Sequence, residues 1–161
     1  MTDGDFNNFD PNDSKDLWVL ENIKNIVIDS INKINLDLSN LTVLTEAATG
    51  SWSFTPIIAG LAQAESIICI TKDSKYGDST QIIKNFSKLS KYFGIENKIQ
   101  IHKNLLPATI KKADIITNSG FVRPIEKKFI NLLKPTAVIS LMWEPWEYRE
   151  KDLDLSDTVV K

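Results

Sequence analysis

Cysteine and histidine are nearly absent from the chain. A single cysteine, Cys69, excludes an internal disulfide framework. Together with a single histidine, His102, it leaves no Cys/His zinc site, so no metal is expected, and it disfavours a Ser-His-Asp triad. No apolar run approaches the ~18 residues needed to cross a bilayer, so no membrane contact is expected. An excess of positive charge is missing too. Lys and Arg number 19 against 21 Asp and Glu, for a formal net charge of -2. Duplex nucleic acid is held electrostatically by a cationic surface, and this balance argues against such a partner. The opening MTDGDFNNFDPNDSKD lacks the cationic start and apolar stretch of a secretory signal peptide, and a cytoplasmic protein is expected. No internal repeat and no low-complexity stretch is found. What remains is 161 residues, 42% hydrophobic and 25% charged, enough for one domain with a real core.

Residues 1–13 carry Asp, Asn, Gly and Pro with two isolated Phe and read as a mobile acidic arm. Asp13 or Ser14 can cap a helix within residues 14–38. Its apolar positions Leu17, Trp18, Leu20, Ile23, Ile26, Val27, Ile31 and Ile34 recur at steps of three and four. Such a helix either lies on the sheet that follows or serves as a linker or dimer contact. Residues 39–161 form the domain proper.

From residue 41 the period changes. Leu41–Thr45 reads as a strand, followed by the turn EAATGSWS and a helix over Thr55–Ala64, where Pro56 is tolerated in the first turn. Ser66–Thr71 holds an apolar run that is continuous rather than alternating, as in a parallel strand covered on both faces. A polar loop leads to a helix over Thr80–Phe93 with Ile82, Ile83, Phe86, Leu89 and Phe93 on one side and Gly94 as its stop. Then come a strand at Lys98–His102, a short helix at Pro107–Lys112, a strand over Asp114–Gly120, a helix over Ile125–Leu133 ended by Lys134-Pro135, and a strand at Thr136–Met142. The tail after it shows no periodicity.

Strands alternating with helices imply right-handed crossovers and a parallel sheet. The expected fold is α/β: a doubly wound, Rossmann-like sheet of about five strands in the order 3-2-1-4-5, preceded by the N-terminal helix. A ligand then sits beyond the carboxyl ends of the strands, where the order reverses between strands one and four.

That placement selects four loops. A dinucleotide loop follows G-x-G-x-x-G, because the backbone must turn sharply and approach a pyrophosphate. Here the register gives Ala48-Thr49-Gly50-Ser51-Trp52-Ser53: small residues at all three glycine positions, with Gly50 the one that admits phosphate and the amides of Ser51 to Ser53 as donors. The same residues also fit an ordinary tight turn. After strand two, Asp73 lies ~20 residues on, where an acid binds a ribose diol, while Lys72 and Lys75 suit a 2′-phosphate. A solvated charged loop is the alternative. After strand four, Asn118 and Ser119 offer hydrogen bonds and Gly120 allows close passage. Met142, at the end of strand five, is the last candidate contact. Trp143 to Arg149 hold two tryptophans, a tyrosine, two glutamates and an arginine, which either floor a pocket or close the sheet edge. Cys69 reads as core, and His102 as structural or exposed.

Asp114-Ile-Ile-Thr-Asn-Ser-Gly120, Phe129 to Ile139 with its Lys134-Pro-Thr-Ala turn, and Asp152-Leu-Asp154 resemble the second half of the NAD(P)-binding domain of S-adenosylhomocysteine hydrolase and 2-hydroxyacid dehydrogenases. Thr71 to Lys75 is similar to the Asn-Arg-Thr-x-x-Arg run of NADP-dependent shikimate dehydrogenases. The resemblance spans roughly residues 41 to 155. It implies an NAD or NADP cofactor contacting Gly50, Asp73, Asn118 and Gly120, and a substrate domain supplied elsewhere, by a partner or a homodimer. Thr136 stands where the family has Gly, and no catalytic residue carries over. A second resemblance is to class I S-adenosylmethionine methyltransferases: Glu46-Ala-Ala-Thr-Gly50-Ser is similar to their acidic glycine-rich motif, and Leu132-Leu-Lys-Pro135 to their approach to strand five. Ala48 and Trp52 replace two of its glycines. A third expectation is an accessory or interaction subunit without chemistry. Glu46, Glu144 and Glu147 are carboxylates to which the sequence assigns no partner.

Overall fold

The computed structural model describes Asp10 and residues 12–141. The N-terminal arm, Met142, the aromatic run Trp143–Arg149 and the Asp152/Asp154 pair lie outside the described residues, apart from the last few positions of the arm.

Asp13 starts the first helix. Its carboxylate accepts the Lys15 N–H at 2.8 Å and α1 runs from Ser14 to Ile34, satisfying a donor that the helix itself cannot. After it come β1 (Thr42–Glu46), a 3-10 turn (Gly50–Ser53) that feeds α2 (Phe54–Leu61), β2 (Ser66–Ile70), α3 (Ser79–Tyr92), β3 (Ile99–His102), α4 (Pro107–Ile110), β4 (Ile115–Thr117), α5 (Lys127–Ile130) and β5 (Val138–Ser140). All five strands are parallel, in the order β3-β2-β1-β4-β5. This is the doubly wound architecture expected from the alternation of periods. Val43 pairs with Ile115 and Leu44 with Ile116, so β1 and β4 are neighbours and the chain reverses its direction of winding between them.

The strands are short and apolar because both faces are covered. On one face Val43, Ile67 and Cys69 pack with α2 and α3 through Ile57, Phe86 and Leu89; on the other Leu44, Ile68 and Ile116 meet Ile110, Val122 and Phe129. Cys69 is fully buried, and burial pushes its thiol far above the ordinary range. α1 adds to the first face through Leu20, with Leu17, Ile23 and Ile31 against the same core. Trp18, Ile26 and Ile34 stay exposed, so the apolar stripe of the sequence divides into a packed half and a solvent half.

α4 and α5 are shorter than their periodicity predicts, and α2 ends three residues early, at Leu61. After Ile130, Leu132 and Leu133 donate to Phe129 and Ile130, three residues back, at 3.0 and 3.1 Å. After Ile110, Lys112 and Ala113 do the same toward Thr109 and Ile110. Both ends tighten into 3-10 geometry, and Pro135, which has no N–H, follows the second. The start of β4 is tied to β1 and to the turn before β5 by Asp114: its carboxylate accepts the Thr42 N–H at 2.9 Å and the Lys134 ammonium at 2.6 Å. Those bonds hold the Asp114 carboxyl below its usual range.

Gly60 sets the closeness of α2 to the turn after α3. A Cβ there would stand 2.8 Å from both Cδ1 and Cγ2 of Ile95, itself 3% exposed. Gly60→Ala gains helix propensity but overpacks this contact. The expected net loss is ~1–2 kcal/mol in a urea unfolding series; a stabilised variant would show that Ile95 yields freely.

Candidate functional site

β1 runs one residue further than its apolar run suggests, so Glu46 is its last residue and is 4% exposed. The Ala47 N–H still bonds Ile70 O at 2.9 Å, and the chain leaves the sheet at Ala48 and Thr49. Gly50 then takes φ +62, the left-handed region that side chains resist. The turn that follows is hooked by the Ser53 hydroxyl, which donates to Gly50 O at 2.7 Å, and it runs directly into α2. A helical turn thus begins at the sheet's carboxyl edge, with the first N–H groups beyond the reach of intrahelical acceptors.

The loop after β4 stands opposite. Thr117 Oγ1 donates to Thr45 Oγ1 at 2.8 Å and lies 3.2 Å from Ser119 Oγ. The buried Asn118 donates its N–H to Ser140 O at 3.2 Å and accepts from Arg123 Nη1 at 2.9 Å. The two loops are tied by Glu46, whose Oε2 accepts the Phe121 N–H at 2.9 Å. Burial raises the Glu46 carboxyl above its ordinary value, and the N–H groups of Phe121 and Gly120 offset part of the rise.

Between these loops lies a cavity of about 440 Å³. Its walls are Glu46, Ala48, Thr49, Gly50 and Trp52 from the first loop, and Gly120, Phe121 and Arg123 from the fourth. Ser74, Tyr76 and Ile82 close it from the side of β2 and α3. Ser74 and Gly77 exchange backbone bonds at 3.0 and 3.2 Å, folding this loop over the first one; a Cβ on Gly77 would lie 2.9 Å from Thr49 Cγ2. Tyr76 is left exposed, with Lys75 Nζ 4.8 Å above its ring. A second cavity of about 240 Å³ shares Ala48, Thr49, Tyr76 and Ile82 with the first and runs between Ser53 and α3. Phe86 and Leu89 line it, beside Gln81 and Asn85, whose side chains bond each other at 2.9 Å.

Of the residues singled out from sequence, Ala48, Thr49, Gly50, Trp52 and Gly120 line the larger cavity and Ser53 the smaller. Asn118 and Ser119 are buried beneath the fourth loop, where they shape it. Ser51, Lys72 and Asp73 line neither cavity. Asp73 Oδ1 accepts the Ser79 N–H at 2.8 Å, and its carboxyl is lowered by that serine's hydroxyl and backbone. His102 ends β3, paired with Ile70, and also lines neither. Tyr76, Phe121 and Arg123 were given no role by the sequence.

No protein-family model matches the chain, and no curated protein does. The site therefore has to be read from its own chemistry. It combines a left-handed glycine, a buried acid, a guanidinium and exposed aromatic surface at the reversal point of a parallel sheet. Among the described residues no group of His, Cys, Asp and Glu gathers as a metal centre, and no helix is long and apolar enough to cross a membrane.

Glu46 also makes a prediction about stability. Its folded form holds a proton more tightly than the unfolded one, so its contribution declines as pH rises from the usual carboxylate range through its raised value. Glutamine keeps an acceptor for the Phe121 N–H without the charge. Glu46→Gln is expected to gain stability relative to the parent as pH rises above the ordinary carboxylate range, read from denaturant midpoints. A constant difference would place the carboxylate in water rather than in the wall.

Proposed function

We propose that this domain binds a nucleotide cofactor, NAD or NADP, across the mouth formed by the first and fourth loops. The carrying observation is Gly50 at φ +62, lining a cavity beside the β1/β4 reversal and opening the turn into α2. A backbone without a side chain can touch a diphosphate there, and helix-start N–H groups favour an anion. The second-half resemblance to dehydrogenase cofactor domains supports the same reading. Ribose recognition falls to Ser74 and Tyr76, which line the cavity, rather than to Asp73, whose carboxylate is engaged by Ser79. The domain then belongs to a dehydrogenase-like system whose substrate-binding half lies elsewhere.

A second reading rests on Glu46 and Arg123, which line one cavity with opposite charges. That pair suits the amino and carboxylate ends of the methionyl group of S-adenosylmethionine. Calorimetric titration with NAD, NADP and S-adenosylmethionine separates the two. Binding of either nicotinamide dinucleotide supports the first, binding of the methyl donor alone replaces it, and no heat from any of them rejects both.

A further inference from the structure

At the opposite edge of the sheet the face toward α4 and α5 is only half covered. Its upper row, Leu44, Ile68 and Ile70, is packed by Ile110, Ile125 and Phe129. The lower row is polar. Thr42 pairs with Ser66 across β1 and β2, and the exposed Gln100, level with Ile68 but on the outer strand β3, donates to Ser66 Oγ at 3.2 Å beside it. A crossover helix of a single turn, Pro107–Ile110, is too short to reach this row. Strand residues that are polar where a buried sheet would be apolar belong to an open floor.

Lysines surround that floor. Lys98, Lys111, Lys112 and Lys134 line a groove of about 550 Å³ above Ser66 and Gln100. Lys134 is bound to Asp114, but among the described residues Lys98, Lys111 and Lys112 have no carboxylate within ion-pair distance. Glu65 is the one acid in the lining. The chain as a whole carries a net charge of -2, so positive charge is concentrated here against the average.

We infer that this groove binds a multiply charged phosphate compound, at a site separate from the Gly50 crevice. Lysine acts as a point charge for phosphate oxygens, whereas paired recognition of carboxylates favours the arginine fork, which the groove lacks. The Ser66 hydroxyl and the Gln100 and Asn97 amides add neutral hydrogen bonds along the floor. The volume suits an oligophosphate of nucleotide-tail length.

The test uses the full chain and tripolyphosphate, titrated calorimetrically at low salt. A saturable site is expected that is weakened at least ~10-fold in the triple variant Lys98→Gln/Lys111→Gln/Lys112→Gln and weakened again by added salt. The triple variant must leave the NAD titration unchanged, since none of the three lysines lines the Gly50 cavity, which keeps this outcome distinct from that of the cofactor crevice. Circular dichroism confirms that the triple variant keeps its fold, as surface Lys→Gln changes should. Absence of saturation, or affinity indifferent to the three lysines, overturns the inference. So does tighter binding of oligoglutamate than of tripolyphosphate, which would make the groove a peptide surface.

Discussion

Replacing Gly50 by valine is expected to weaken NAD or NADP binding by at least ~100-fold, while the domain still folds. Gly50 takes φ +62 and lines the cavity at the start of the turn into α2. On the cofactor reading, a side chain on this cavity-lining residue competes with the diphosphate for the main-chain N–H groups. Valine also suffers in the left-handed region, at a cost of ~1–2 kcal/mol, so some loss of thermal stability accompanies the loss of binding. Asparagine separates the two effects. It tolerates positive φ, so Gly50→Asn should melt close to the parent and still bind poorly. Parental affinity in the asparagine variant would mean that no ligand approaches this backbone, and the cofactor reading would fall with it.

Why the sheet was legible and the cavity less so follows from how each is encoded. The strand order rests on local patterns: short β-branched runs, helical spacing between them, Asp13 as a cap, and Gly94, which adopts φ +69 at the end of α3. Handedness and layering do the rest. Gly50 and Gly120 were found because glycine at a crossover turn is itself a local signal. Tyr76 enters the cavity only because Gly77 lets one loop lie over Thr49, a contact between segments that no spacing records. Asp73 sat at a plausible ribose distance, yet a serine six residues on takes its carboxylate. Arg123 and Phe121 reach the wall through bonds to Asn118 and Glu46, both set by the pairing of β1 with β4. The lysine groove was invisible for a related reason: its lysines come from three separate stretches of chain, each unremarkable alone.

Glu46 gives the test on which the two cofactor readings part. Its carboxyl is raised by burial and lines the same cavity as Gly50. A diphosphate placed there raises it further, because a second anion disfavours the ionised form. Binding of NAD should then take up a proton, and affinity should fall as pH rises through the titration of Glu46, by at most ~10-fold per pH unit. NAD is the ligand of choice, since the 2′-phosphate of NADP titrates on its own. Arg123 is the other charged group in the wall. Glu46→Gln removes the slope and tightens NAD at alkaline pH. A cationic methyl donor reverses every sign: ammonium or sulfonium beside Glu46 favours the carboxylate, binding releases a proton, affinity rises with pH, and Glu46→Gln weakens it ~10- to 100-fold. Calorimetry in two buffers of different ionisation enthalpy reads the proton count directly. A ligand that binds with no proton exchanged and no change in Glu46→Gln does not lie against this wall, and both readings of the crevice would then be wrong.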